Sequence, residues 1–375
     1  MVSMKRFALF LAFLFFILSV NPVESVYQDS HTFSSYGVIS MPAEMPDGST
    51  AGPWWWGAVV SDTAWASYCR VFGYTQIDLF KSSGGTALRI MLDKKGWDTN
   101  NAISNQDPTL SLQYQDYMKT IVSYCQLKGI KVLLDLTRDT SNPSWTDDAG
   151  WAAKKEIITD SAIRNEWINW GKEVISYCNP DAIGIMNEPG GGGQTTTFDY
   201  YYDNFVTPSI SAYRSIDPNI VVFVMSMPFW DVGGFVTRPI DDSNVIYEYH
   251  FYYDYPMDPD STSQLCYDMS QAYGEGRLTE AKTFLTQYLN WKLSGLPKDR
   301  VNIGELGVLG MTGVEPSDPN WDAFMQDAYD YIEQQQLAGL FQYAIARTRY
   351  NMFDPATDYT TYTPYGALWA QNCPT

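Results

Sequence analysis

Eight short apolar runs, separated by longer stretches of mostly helical pattern, constrain this chain more than anything else in it. The runs are Trp54–Val60, Thr86–Leu92, Lys131–Leu136, Ala182–Met186, Ile220–Met227, Asn244–Tyr252, Val301–Gly307 and Leu340–Ala346. They are continuous in apolar residues rather than cleanly alternating, which is what strands buried on both faces require. Between them, Asp62 can cap a helix that reaches Lys81 and ends at Gly84-Gly85, and Asp107-Pro108 opens another that stops at Gly129. Thr159 or Asp160 caps a third, whose apolar positions Ile163, Trp167, Trp170 and Val174 recur at three- and four-residue steps. Leu278–Leu293 and Trp321–Gln336 repeat the pattern, whereas Gly233-Gly234 leaves little helix after the fifth run.

Such alternation specifies either a closed barrel or an open doubly wound sheet. An open sheet usually carries a glycine-rich phosphate loop after an early strand. The dense glycine run here, Gly190–Gly193, follows the fourth run and lacks the GxGxxG or GK[ST] spacing. The expected fold is therefore α/β, a single-domain (β/α)8 TIM barrel over residues 51–375. A polar, turn-rich lead-in at 26–50 precedes it.

The first 25 residues read as a removable secretion signal. Lys5-Arg6 precede an apolar run, Phe7–Val20, and Asn21-Pro22 and Val23-Glu24-Ser25 follow it. That run is short against the roughly 20 residues needed to span a bilayer. Removal of the signal leaves 22 basic and 42 acidic residues, a formal charge of −20 against −19 for the whole chain. A surface of that sign repels phosphate backbones and anionic lipids, so neither a nucleic-acid nor a membrane partner is expected. A neutral polymer is not repelled. The secreted protein is expected to be a monomer. Cys69, Cys125, Cys178, Cys266 and Cys373 are too few and dispersed for a disulfide scaffold, and they show no CxxC metal spacing. A bridge between Cys125 and Cys178, near the ends of consecutive helices, is one possibility.

Past residue 25 the chain has two histidines, His31 and His250, and no GxSxG elbow. That excludes a multi-histidine zinc site and makes Ser-His-Asp hydrolysis a poor reading. No metal and no cofactor are expected; carboxylate chemistry remains. Barrel enzymes place catalytic groups at the C-terminal ends of strands. Those ends carry Arg89, Asn187-Glu188-Pro189, His250, Tyr252 and Glu305. Glu188 and Glu305, from the fourth and seventh strands, are expected to face each other from opposite sides of the ring. Paired carboxyls suit glycoside hydrolysis, in which one protonates the leaving oxygen and the other attacks the oxocarbenium-like carbon. Arg89 would keep Glu305 ionised, and Glu188 would hold the proton as the acid. Tyr252 could donate to the nucleophile, Asn187 could bind the sugar 2-hydroxyl, and His250 could orient the acid or contact substrate. Glu248 reads as a buried network member.

The segments ALRIML at 87–92, IGIMNEPGG at 183–191, YEYHFY at 247–252 and NIGELGV at 302–308 together resemble glycoside hydrolase family five. The resemblance spans roughly residues 54–346. It implies a retaining mechanism with Glu188 as acid/base, Glu305 as nucleophile and the two carboxyls about 5 Å apart. Two positions depart from the family pattern. Leu136, Thr137 and Arg138 stand at the third-strand end where members usually carry a histidine. Tyr343 and Arg347 stand on the eighth strand where they usually carry a sugar-stacking tryptophan. Trp56, Trp145, Trp230 and Tyr343 are the candidate substrate-binding aromatics. The expectation is a secreted endo-β-glycanase acting on β-1,4-glucan. Its alternatives are a mannanase or another β-glucanase, a carbohydrate-binding barrel without activity, or an open-sheet nucleotide enzyme.

Overall fold

A computed structural model of the chain describes residues 37–40, 72–138, 155–190, 196–229, 231–252, 264–307, 320–343, 361 and 364–372. For residues 37–40, 138, 252, 264, 342–343 and 364–366 it describes the backbone alone. The strands are β1 Gly37–Ser40, β2 Ala87–Asp93, β3 Lys131–Arg138, β4 Ala182–Gly184, β5 Val221–Met225, β6 Val245–Tyr252, β7 Val301–Gly307 and β8 Gly339–Tyr343. Strands β2–β8 pair in sequence order, all in parallel. β1 pairs in parallel with both β2 and β8 and closes the ring into a (β/α)8 barrel.

Seven strands fall on the expected runs. The first does not: β1 lies in the segment read as a lead-in, and residues 54–60 lie outside the described residues. The reason is physical. Gly37–Ser40 has four residues in a polar stretch, so it shows no apolar run, yet two neighbouring strands supply its hydrogen bonds.

The helices follow from local chemistry. Asp160 Oδ1 accepts from Ala162 N at 2.8 Å and Ile163 N at 3.2 Å, capping the helix Ser161–Cys178. Leu278–Lys292 and Trp321–Gln335 form where their apolar periodicity placed them, and between β5 and β6 only Gly233–Thr237 is helical among the described residues. The helix Tyr114–Leu127 ends before Gly129, whose φ of 68° a side chain would strain. Cys125 and Cys178 are both buried and free, so no bridge joins them. Among the described residues no helix is long and apolar enough to cross a membrane.

Inside the ring, Phe223 of β5 and Phe341 of β8 meet with ring centroids 6.3 Å apart, both fully buried. They form part of an apolar layer. Phe223 stands two residues before Met225, the register partner of Glu248, so the charged groups lie toward the C-terminal ends of the strands.

Candidate active site

The fourth strand is short, and the chain beyond it is held by its neighbours. Ile185 N donates to Phe223 O at 3.1 Å and Asn187 N to Leu136 O at 3.0 Å, tying the segment to β5 and β3 in turn. From the helix behind, Trp167 Nε1 donates to Ile185 O at 2.9 Å. Glu188 then adopts φ 45°, in the left-handed region that residues with side chains seldom occupy, and its N–H points at Met225 Sδ, 3.1 Å away. Non-glycine residues in that region concentrate at functional sites, where surrounding contacts hold the strain.

Glu305 is aimed by a different device. Tyr249 pairs with Ile303, but the next residue, His250, pairs with Glu305, so Gly304 is an extra residue in β7. Strict alternation would put Gly304 opposite His250 and turn Glu305 outward to the helices. The bulge gives Glu305 the same face as His250. Gly304 is also required sterically, because a Cβ there would overlap the Glu248 side chain; Gly184 makes room for Asp135 in the same way. Gly304→Ala is therefore expected to destabilise the fold by ~1–3 kcal/mol through overpacking and to lower activity by displacing Glu248. Urea unfolding beside turnover of the same preparation checks both effects.

Arg89, on β2, organises the centre. Its Nη1 donates to Gly304 O at 2.9 Å and to Glu305 Oε1 at 3.1 Å. Its Nη2 donates to Asn187 Oδ1 at 2.8 Å, pairs with Asp135, and lies 3.1 Å from Glu248 Oε1. Because Asn187 accepts through its oxygen, its Nδ2 faces elsewhere, buried and without a partner among the described residues. His250 links the carboxyls. Its Nδ1 lies 2.7 Å from Glu188 Oε1 and 3.5 Å from Glu305 Oε2, and its Nε2 lies 3.1 Å from Glu248 Oε1. One oxygen each of Glu188 and Glu305 and one ring nitrogen of His250 lie within 4.8 Å of one another. Both glutamates are 0% exposed.

Burial opposes charge throughout this cluster, and the neighbours decide the outcome. For Arg89, burial is outweighed by Glu248, Asp135 and Glu305, so the guanidinium stays protonated. Burial also acts against charge on Glu248, but Arg89 and His250 hold its carboxyl below the usual range. Asp135 is pushed up by burial, pulled back by Arg89 and raised again by Glu248, to about 6. Burial would neutralise His250, yet Glu305, Glu188 and Glu248 raise it from 6.5 to about 9. A folded-state pKa above the unfolded one adds stability that is complete below pH 6.5 and is lost as pH rises through about 9. This contribution is on the order of 3 kcal/mol. Unfolding free energies between pH 6 and 10 are expected to fall over that window, and His250→Gln to flatten the fall.

Of the expected residues, the structure brings together Glu188, Glu305, Arg89, Asn187 and His250. Tyr252 pairs with Gly307 at the strand end and Tyr343 with Ile39, but their side chains lie outside the described residues. Trp56, Trp145 and Trp230 lie wholly outside them. Thr137 is buried, with Oγ1 donating to Asp135 O at 3.1 Å. One geometric expectation needs correction. β4 and β7 are three strands apart rather than diametrically opposed, and His250 of the intervening β6 stands between their glutamates. Asp135 was not singled out from the sequence. Its signal is a carboxylate inside the run VLLDL, since a charge in a doubly buried strand needs a partner.

The family model that matches is Cellulase (glycosyl hydrolase family 5), over residues 60–342. The chain belongs to glycosyl hydrolase family 5. Members of that family are glycoside hydrolases, and so is this protein. None of the curated proteins compared with the chain matches it. Among solved structures, the family 5 barrel here is similar to an endocellulase from Pyrococcus horikoshii in complex with cellotetraose. Identity is 16%, coverage is 90% of this chain and 92% of that one, and the TM-score is 0.59. It is also similar to Thermotoga maritima Cel5A in complex with mannotriose, at 13% identity, covering 92% and 100%, with a TM-score of 0.55. The same enzyme with cellobiose gives 13% identity, 92% and 99% coverage and a TM-score of 0.55.

Proposed function

We propose that this family 5 chain is a secreted, monomeric, single-domain retaining endo-β-glycanase that hydrolyses β-1,4-glucan. The observation that carries the retaining reading is the closeness of the carboxyls of Glu188 and Glu305, with oxygens within 4.8 Å. Retaining pairs stand roughly 5–5.5 Å apart, whereas inverting pairs stand roughly 6.5–9.5 Å apart to hold a water between them.

In this mechanism Glu305 is the nucleophile. Arg89 Nη1, 3.1 Å from its Oε1, favours the ionised form that attack needs. Glu188 gives its proton to the glycosidic oxygen as the bond to the anomeric carbon breaks and Glu305 bonds to that carbon. Glu188 then takes a proton from water, which releases the sugar from Glu305. Asn187 Nδ2, buried and without a partner among the described residues, is oriented to donate to a sugar hydroxyl. Both carboxyls are fully buried, so the chemistry runs in a water-poor site.

Support for a glucan comes from the similar barrels solved with cellotetraose and cellobiose, and the mannotriose complex makes mannan the rival. Export is supported by Lys5-Arg6 and the apolar run Phe7–Val20. A panel of soluble β-1,4-glucan, mannan, xyloglucan and β-1,3-glucan, with products sized over time, tests the assignment. Mixed oligosaccharides from β-1,4-glucan are expected first. Faster cleavage of mannan would move the assignment to a mannanase, and binding without cleavage of any polymer would leave a carbohydrate-binding barrel.

A further inference from the structure

The described cluster contains more carboxyls than glycoside hydrolysis consumes, and Glu248 is placed with particular care. It sits on β6, two residues before His250 and on the same face. Gly304 in the opposing bulge leaves room for its side chain. Its Oε1 meets both His250 Nε2 at 3.1 Å and Arg89 Nη2 at 3.1 Å.

Proton counting decides what Glu248 does to the imidazole. Arg89 Nη1 also approaches His250 Nε2, at 3.3 Å, but its two protons are directed to Gly304 O at 2.9 Å and Glu305 Oε1 at 3.1 Å. Nε2 therefore carries a proton and donates it to Glu248. With Nε2 so committed, Nδ1 is the nitrogen that addresses Glu188 Oε1 at 2.7 Å. The surrounding carboxyls raise His250 to about 9, so both ring nitrogens carry a proton. The relation resembles the carboxylate that orients the histidine of a hydrolytic triad, except that this imidazolium also donates, through Nδ1, to a second carboxyl.

We infer that Glu248 is a positioning residue for acid/base catalysis: by holding His250 through Nε2, it directs Nδ1–H to the carboxyl of Glu188 throughout the reaction. This rests on the reading of Glu188 as the acid/base. No proton leaves His250. When Glu188 gives its proton to the leaving oxygen, Nδ1–H remains as a donor to the carboxylate formed, and that carboxylate next takes its proton from water. The groups facing His250 are Glu188, Glu305, Glu248, Arg89 and, through the electrostatic field, Asp135.

The test compares kcat/KM for phenyl β-cellobioside, whose leaving group needs a proton, with that for dinitrophenyl β-cellobioside, whose leaving group does not. Glu248→Gln is expected to lower the first by about 10–100-fold and the second by only about two-fold, since acid catalysis contributes on the order of 10²–10⁴. Its alkaline limb with phenyl β-cellobioside is expected to move to lower pH by on the order of 1 unit, because a nearby negative charge is gone. Equal losses on both substrates, or an unmoved alkaline limb, would overturn the inference. If Glu248→Gln does not fold, Glu248→Asp keeps the charge but loses reach, and it must show the leaving-group contrast with the alkaline limb in place. Glu188→Ala separates the two readings. If it shows no leaving-group contrast, the acid/base assignment fails. If it shows the contrast and the Glu248 variants do not, only the role of Glu248 fails.

Discussion

Glu305→Gln is expected to cut turnover of soluble β-1,4-glucan by on the order of 10⁴-fold or more, the scale seen when a covalent nucleophile is removed. Binding should survive. The amide is close in shape to the carboxylate and still offers an oxygen to Arg89 Nη1, so the bond seen at 3.1 Å can be kept. What disappears is the negatively charged carboxylate oxygen that, in the proposed mechanism, attacks the anomeric carbon. Release of reducing ends, set beside isothermal titration with cellotetraose, reads the two quantities separately. A variant that keeps more than a tenth of wild-type turnover would remove Glu305 from the chemistry.

Arg89→Leu should have the largest effect on the fold. The guanidinium is fully buried and is the shared counter-charge of Asp135, Glu248 and Glu305. Removing one side of a buried ion cluster typically costs about 3–5 kcal/mol, because the remaining charges lose their compensation. Against a total stability of roughly 5–15 kcal/mol, that brings the variant near its unfolding threshold. The sign of the pH dependence is a further check. Without Arg89, Asp135, Glu248 and Glu305 lose their shared counter-charge and gain from taking up protons, so the variant should be least impaired in mild acid and most impaired at neutral pH. Arg89→Lys should not rescue it. A lysine has a single ammonium, whereas Arg89 uses both ends of a planar fork on Glu305, Asn187 and Asp135. Thermal unfolding of both variants from pH 5 to 8 measures this.

Most of the barrel was legible because its strands are buried on both faces, so the runs in β2–β8 stand out against the amphipathic helices between them. The exception, Gly37–Ser40, owes its place to hydrogen bonds from β2 and β8, which leave no trace in its own composition. At the site, Glu188 could be read from its place just beyond the fourth strand, whereas Arg89, expected at a strand end, is the third of the seven residues of β2. The aim of Glu305 could not. It depends on the bulge at Gly304, and a glycine inside a strand signals close approach without saying which residue is turned. Asp135 and Glu248 are carboxylates inside otherwise apolar runs, a signal that they are paired but not with whom. The link from Glu248 through His250 to Glu188 is a property of three-dimensional register, joining β6 to the segment after β4.

The retaining mechanism proposed above rests on carboxyl oxygens of Glu188 and Glu305 lying within 4.8 Å of each other, too close for the water an inverting pair holds, and it routes the sugar through Glu305. Proton NMR of the first minutes of hydrolysis of a cellooligosaccharide tests that claim most directly. The new reducing ends should appear first as the β-anomer and only later mutarotate. Initial appearance of the α-anomer would contradict it.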